Sequence, residues 1–219
     1  MQSNLPDFQI DTSNPDPRCA CVLVLDTSGS MSGTPIEQLN QGVMALSQDL
    51  KRDKLASARV EIAVVTFGPV RLAQDFVSAN DFEPAQYETE GATPMGEALT
   101  LALDLVAQRK HLYRSVGMQY YRPWIFLVTD GAPTDEWQAV ATRIKHEEAN
   151  KKFSFFSVGV ADADMDMLAQ LSSRPPQKLI GYSFIEMFKW LSSSLSSVSH
   201  SRIDEQVRLP GTLGWSQID

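Results

Sequence analysis

The segment that most restricts the fold is residues 19–25, the run CACVLVL, which is apolar at every position. A strand with one face in water alternates apolar and polar residues, whereas a strand that is buried on both faces is apolar throughout. The run therefore predicts a central strand of a parallel sheet that is covered on both sides. The sequence predicts further strands at residues 59–67, 124–129, 153–160 and 178–180.

Segments with helical periodicity alternate with these strands, over residues 35–50, 95–108, 137–150, 165–171 and 184–198. Thr34-Pro35 and Thr93-Pro94 each predict a Thr N-cap followed by a Pro at the first helical position. After the Gly68-Pro69 break, residues 70–77 predict a short antiparallel strand. The alternation predicts an α/β fold: a doubly wound, mainly parallel central sheet with one short antiparallel edge strand and helices on both faces, in the Rossmann-like manner.

The domain organisation follows from composition along the chain. Residues 1–18 are polar and hold three prolines, so we expect an N-terminal arm there. Residues 19–200 carry the α/β pattern and form the predicted domain. Residues 201–219 are a C-terminal tail that packs on the domain or extends from it. We expect Trp215 to pack back, because large apolar side chains are seldom left bare.

Charge and cysteine content exclude several classes of protein. The formal net charge is -8, which disfavours nucleic-acid binding, because phosphate backbones require clustered Lys and Arg. No secretion signal and no apolar run long enough for a membrane span stand out in the sequence. Cys19 and Cys21 lie two residues apart on one predicted strand, where a mutual disulfide is awkward. We therefore expect reduced thiols and a cytoplasmic location.

Three polar loops carry the candidate chemistry, and each offers hard oxygen ligands. The side chains concerned are Asp26, Ser28, Ser30, Thr93 and Asp130. In doubly wound sheets, ligands bind beyond the carboxyl ends of the strands, at the point where strand order reverses. The loops meet there if the strands that end near Asp26 and Asp130 are neighbours. Hard oxygens favour Mg²⁺, with Mn²⁺ and Ca²⁺ as alternatives, whereas a soft metal would require Cys or His.

This combination of motifs resembles the metal-ion-dependent adhesion site of von Willebrand factor A-type (VWA) domains. The shared features are Asp-x-Ser-x-Ser after an apolar strand, a Thr in a Gly-Ala-Thr-Pro loop, and Thr-Asp-Gly after a second apolar strand. The resemblance spans roughly residues 19–198 and implies the same fold.

The resemblance also implies roles for the five residues. Ser28 and Ser30 would bind the ion directly, and Thr93 would bind directly or through water. Asp26 and Asp130 would hold metal-bound waters. The remaining position would accept an Asp or Glu of a protein partner, so the implied function is cation-dependent protein–protein interaction without catalysis.

Three further stretches resemble TerY-type bacterial VWA proteins, which are associated with tellurite resistance and stress gene clusters. They are DGAPTD at residues 130–135, FKWL at residues 188–191, and Gly214-Trp215 in the tail. The resemblance implies a bacterial stress-response setting and, as partners, a PP2C-like phosphatase and a protein kinase.

Other interpretations of the same residues remain open. Ser28, Ser30 and Thr93 are also ordinary turn and cap residues. A metal-dependent phosphohydrolase of the haloacid dehalogenase type is an alternative, although it needs a second Asp where this chain has Ser28. A structural scaffold with an idle metal site is another alternative.

Two other groups of polar residues are assigned no site. His111, His146 and His200 show no ligand spacing and are expected at the surface. Asp162, Asp164 and Asp166 form an Asp-x-Asp-x-Asp run that hints at Ca²⁺. The run lacks the Gly and Glu of an EF-hand loop, so we expect the acids to begin a helix.

Overall fold

The computed structural model describes residues 12–217, and its centre is a seven-stranded β-sheet. The strands are β1 Cys19–Asp26, β2 Val60–Phe67, β3 Arg71–Ser78, β4 Trp124–Thr129, β5 Ser154–Gly159, β6 Gln177–Leu179 and β7 Ser216–Gln217. Their spatial order is β3-β2-β1-β4-β5-β6-β7. The inner pairs are parallel, and the pairs at the two edges, β2–β3 and β6–β7, are antiparallel.

Helices cover both faces of this sheet. They are α1 Thr34–Arg52, α2 Lys54–Arg59, α3 Met95–Ser115, α4 Gln138–Ala149, α5 Met165–Ala169 and α6 Phe184–His200. The odd-numbered side chains of β1, such as Leu23, pack with α1 and α6. The even-numbered ones, such as Val22, pack with α3, α4 and α5. Within residues 12–217, no helix is both long and apolar enough to cross a bilayer.

The strand order reverses between β1 and β4, which makes this the switch point of the sheet. The chain runs outward from β1 to β2 and β3, then crosses back and continues on the other side with β4, β5 and β6. β1 and β4 are parallel neighbours, with Leu25 opposite Val128. The loops that follow these two strands therefore leave the same edge of the sheet side by side.

The predicted doubly wound, mainly parallel fold is confirmed, with corrections at the sheet edges. The predicted antiparallel edge strand is β3, which has the predicted length of eight residues, begins one residue later than predicted and pairs along most of β2. A second antiparallel edge strand, β7, was not expected. With only two residues, β7 has no periodicity to detect, and it is held by pairing with β6.

The predicted Thr caps are wrong. α1 is preceded by Gly33, whose φ of 80° suits glycine, so Thr34 is already helical. α3 begins at Met95, after Thr93 and Pro94. Its first amides are capped from another loop instead: the Asp135 carboxylate accepts hydrogen bonds from Gly96 N at 3.0 Å and Glu97 N at 2.8 Å.

Both chain ends are anchored where the structure describes them. Most of the expected arm, residues 1–11, lies outside the described residues, as do residues 218 and 219. Arg18 is buried and its amide donates to Gln119 O. Trp215 is 3% exposed and packs against Trp190, with ring centroids 5.4 Å apart. The domain boundaries at residues 18 and 200 stay predictions.

A buried ionic cluster lies at the start of β2, on the face of the sheet that α3 covers. Glu61 accepts a hydrogen bond from Arg109 Nε at 2.8 Å and one from the Tyr113 hydroxyl, and Arg18 Nε lies 3.3 Å away. All four side chains are buried, so the carboxylate compensates two guanidinium charges at once. Burial, and then the charge of Glu61, raise the pKa of Cys19 to about 12, so this thiol stays protonated.

Replacing Glu61 with Gln should destabilise the fold strongly. The change keeps the shape of the side chain but removes the buried carboxylate charge that Arg18 and Arg109 both contact, for which the expected loss is about 3–5 kcal/mol. Urea unfolding measures the loss. The control is Glu83→Gln, at a carboxylate 80% exposed beside Lys51, which should cost less than about 1 kcal/mol. Equal effects would show that the buried cluster contributes no more than a surface pair.

Asp53 joins the start of α2 to the end of α6. Its carboxylate accepts from Leu55 N and Ala56 N, from Ser196 Oγ at 2.7 Å, and lies 3.0 Å from His200 Nε2. Burial works to raise the pKa of Asp53, but these hydrogen bonds outweigh it and lower the pKa to about 2. The ionised carboxylate therefore stabilises the folded state above the unfolded value of 3.8.

The stability contributed by Asp53 should fade in acid. At pH 6, Asp53→Asn should lower the free energy of unfolding by up to about 2 kcal/mol. The difference between wild type and variant should shrink as the pH falls from 4 towards 2, because the unfolded chain is already protonated there and the folded carboxylate begins to take up a proton as the pH approaches 2. Urea unfolding at pH 6, 4 and 3 tests this. Asp104→Asn, in a half-exposed pair with Arg143, is the control and should show a smaller difference. A difference that does not vary with pH would rule out the carboxylate charge as its source.

Candidate metal centre

Asp26, the last residue of β1, is fully buried at the switch point, and both of its oxygens are held. Oδ1 accepts a hydrogen bond from Ser28 N at 2.9 Å. Oδ2 accepts one from Thr129 Oγ1 at 2.5 Å. Thr129 ends the neighbouring strand β4, so this second bond ties the two strand ends together. The role of Thr129 was missed in the sequence.

A chain of hydroxyl hydrogen bonds crosses from the first loop to the third. Ser28 Oγ lies 3.0 Å from Ser30 Oγ, and Ser30 Oγ donates to Asp130 Oδ1 at 2.7 Å. Together with the contact between Asp26 and Ser28 N, these bonds link four of the five predicted residues. The structure thus brings together side chains that are about a hundred positions apart in the chain.

Thr93 lies at the border of this group. It is 7% exposed, and backbone hydrogen bonds hold its loop from both sides: Gly29 N donates to Gly91 O, and Thr134 N donates to Thr93 O. A β carbon built on Gly131 would lie 3.5 Å from Thr93 Oγ1 and 3.8 Å from Ser30 Oγ. The two hydroxyls therefore border one small space, which the missing side chain of Gly131 leaves open.

Gly68, after β2, packs against the backbone of the first loop at Ser28. Its φ is 126°, and a β carbon there would lie 2.6 Å from Glu90 O and 2.7 Å from Ser28 N. Both the backbone conformation and the close approach thus require glycine. Any side chain at this position would displace Ser28, so Gly68 belongs to the architecture of the site.

The electrostatics of the site are dominated by two carboxylates. Burial raises the pKa of Asp26, hydrogen bonds from Ser28 and Thr129 oppose the shift, and the charge of Asp130 adds to it. Burial also raises the pKa of Asp130, against the hydrogen bond from Ser30. Within residues 12–217, neither carboxylate has a Lys, Arg or His in ion-pair range. Among the described residues, no basic side chain therefore neutralises the negative charge at this edge of the sheet.

This donor set fits a hard divalent cation. It comprises two carboxylates and three hydroxyls, a chemistry that suits Mg²⁺, Mn²⁺ or Ca²⁺. The described part of the chain has no cluster of three or more His, Cys, Asp or Glu side chains arranged to hold a metal ion. Hydroxyl oxygens are therefore essential to any metal site here, and the space beside Gly131 lies among them.

The residues that were assigned no site behave as expected. His111, His146 and His200 are exposed. Asp164 is the N-cap of α5, accepting from Met167 N at 2.9 Å, and Asp166 lies in the first turn of that helix. The acidic run therefore begins a helix.

The chain was also compared with known families and solved structures. The model of the von Willebrand factor type A domain matches residues 21–187. The pilus adhesin SpaC from Lactobacillus rhamnosus GG, in its open conformation, superposes with a TM-score of 0.67 at 13% identity, covering 83% of this chain and 30% of that one.

Proximal thread matrix protein 1 from the mussel byssus superposes with a TM-score of 0.57 at 14% identity, covering 85% of this chain and 47% of that one. At such identities the likeness shows the fold alone, and this chain spans less than half the length of either structure. The family model, by contrast, covers most of the sequence and includes Asp26, Thr93 and Asp130. The chain belongs to the von Willebrand factor type A domain family.

Proposed function

We propose that this VWA domain is a divalent-cation-dependent protein–protein interaction module. VWA domains typically mediate protein–protein interaction or adhesion. In this chain, Asp26, Ser28, Ser30, Thr93 and Asp130 would hold a Mg²⁺ ion, with Mn²⁺ and Ca²⁺ as alternatives. The observation that carries the proposal is the pair of uncompensated carboxylates, joined by hydroxyl hydrogen bonds around the space beside Gly131.

The hydrogen bonds of the site leave the hydroxyl oxygens able to act as metal ligands. Ser30 donates its proton to Asp130, so the lone pairs of its oxygen point away from that carboxylate. In the same way, the Thr129 hydroxyl and the Ser28 amide fix the orientation of Asp26. Carboxylates that orient the ligands of a metal raise its affinity without occupying its coordination positions. These contacts support the proposal that Asp26 and Asp130 orient the ligands of the ion.

Neutral hydroxyl ligands would leave the bound ion electrophilic, and this is why the site would bind a carboxylate of a partner. When bound, Mg²⁺ supplies an electrophilic position for an oxygen of a partner's Asp or Glu. The resemblance to TerY-type proteins supports two candidate partners, a PP2C-like phosphatase and a protein kinase, in a bacterial stress or tellurite-resistance system. We propose a cytoplasmic location on the same resemblance and on the protonated Cys19 thiol.

The environment of Asp26 favours binding over phosphohydrolase chemistry. A nucleophilic Asp must present an oxygen to its substrate. Asp26 is fully buried, and Ser28 N and Thr129 Oγ1 occupy both of its oxygens. We therefore propose that the domain captures a partner and catalyses no reaction.

Titration calorimetry of the metal-free protein with Mg²⁺ and Mn²⁺ tests the metal site. We expect one site in the wild type and none in Asp26→Ala or Asp130→Asn, because each change removes a carboxylate that has no substitute nearby. Thermal unfolding without metal should show that both variants remain folded.

The matched control is Asp162→Asn. Asp162 is an exposed acid that precedes α5, outside the five residues, and its loss should leave the affinity unchanged. Binding that survives Asp26→Ala but disappears with Asp162→Asn would place the ion at the acidic run after β5. No binding to the wild type would contradict a site that is complete in the free domain.

Capture of the proposed partners should depend on the metal and on Thr93. The immobilised domain should retain the phosphatase or the kinase of a TerY-type gene cluster in Mg²⁺ and release it in EDTA. Thr93→Val removes one ligand oxygen at constant shape and should weaken capture by at least about tenfold. Thr142→Val, at an exposed hydroxyl on α4, should have no effect. Capture that persists in EDTA and in Thr93→Val would instead support a scaffold with an idle site.

A further inference from the structure

A cavity of about 220 Å³ lies between the sheet, α6 and the C-terminal tail, and shares no lining residue with the candidate metal centre. Phe126 and Phe156 line it from β4 and β5, Trp190 from α6, and Trp215 from the tail. Its walls are thus mainly apolar, with four aromatic side chains. An apolar cavity of about 150 Å³ already admits benzene, so this one has room for a monocyclic aromatic compound with a short side chain.

Hydrogen bonds at both ends of the tail hold the cavity open. Trp190 Nε1 donates to Pro210 O at 2.8 Å. Ser216 Oγ donates to Gln177 Oε1 at 2.6 Å, and Ile180 N donates to the carbonyl of Trp215 at 2.9 Å. The tail is therefore attached to α6 on one side of the cavity and to β6 on the other. The space is a feature of the architecture and not a gap left by a loose segment.

One side chain gives the cavity a charge preference. Arg174 is the only charged residue among the described ones that line the cavity. The indole Nε1 of Trp215 is buried, so Trp215 contributes its ring to the wall and not a donor.

Arg174 is positioned to bind an anion. Its guanidinium carbon lies 4.3 Å from the centroid of the Phe156 ring, and its side chain is 44% exposed. Its Nε is 4.0 Å from Glu148 Oε1, at the outer limit of an ion pair. Glu148 is itself engaged, since it accepts hydrogen bonds from Phe155 N and Ser172 Oγ. Arg174 therefore keeps much of its capacity to donate to a carboxylate.

We propose that this cavity is a binding site for a small aromatic carboxylate. Its ring would pack among Phe126, Phe156 and Trp190, and its carboxylate would accept hydrogen bonds from the guanidinium group of Arg174. The site needs no metal and is independent of the function proposed above.

The probe is phenylacetate, and its uncharged isostere phenylacetamide is the matched comparison. NMR titration of the ¹⁵N-labelled protein should show saturable binding with a Kd on the order of 1 mM. The indole N–H resonance of Trp215, assigned from its loss in Trp215→Phe, should shift, because the ring of the ligand would lie beside the Trp215 ring. Phenylacetamide should bind at least about tenfold more weakly, because the hydrogen bonds to a charged group are lost.

One variant separates the charge of Arg174 from simple apolar packing. Arg174→Gln should weaken phenylacetate binding by at least about tenfold. Arg122→Gln, at an exposed arginine of the neighbouring surface, should leave the affinity unchanged. The proposal is overturned if phenylacetate shifts no resonance at a concentration about ten times the expected Kd. It is also overturned if phenylacetate and phenylacetamide bind with equal affinity, or if Arg174→Gln leaves the affinity for phenylacetate unchanged.

Discussion

The hydrogen bond from the Thr129 hydroxyl to the buried carboxylate of Asp26 joins the ends of β1 and β4, and the site depends on it. Two adjacent parallel strands bring their loops near each other, but they do not fix the side chains that follow. Once Asp26 is held by Thr129 and by the Ser28 amide, the first loop must turn towards Asp130. The residues of the candidate metal centre are thereby organised by the strand ends before any ion binds.

The sequence allowed the neighbouring loops to be predicted, because strands buried on both faces leave long apolar runs and Asp-x-Ser-x-Ser stands at the end of one of them. It did not reveal Thr129 or Asp135, whose contacts depend on which strands are adjacent. Capping of α3 by Asp135 leaves no local pattern, so the predicted Thr93 cap was wrong. That these residues bind a metal remains a prediction, as does the identity of the partner.

Buried polar groups account for most of what periodicity could not show. Glu61 stands in an otherwise apolar strand and is tolerated because Arg18 and Arg109 reach it from outside that strand. Asp53 likewise gains its importance from Ser196 and His200, more than a hundred residues later. In both cases a single charge obtains its partners through long-range packing, which a local pattern cannot encode.

The loop after β4 has a mechanical consequence if the domain binds a partner at the candidate site. Asp130 lies in the site, Thr134 N donates to the Thr93 carbonyl, and the Asp135 carboxylate holds the first amides of α3. Tension applied at Asp130 would therefore pass directly into α3, a helix of 21 residues and roughly 30 Å. Because α3 packs along the buried sheet, the force would be distributed over the hydrophobic core. The domain would then resist mechanical unfolding as a single unit.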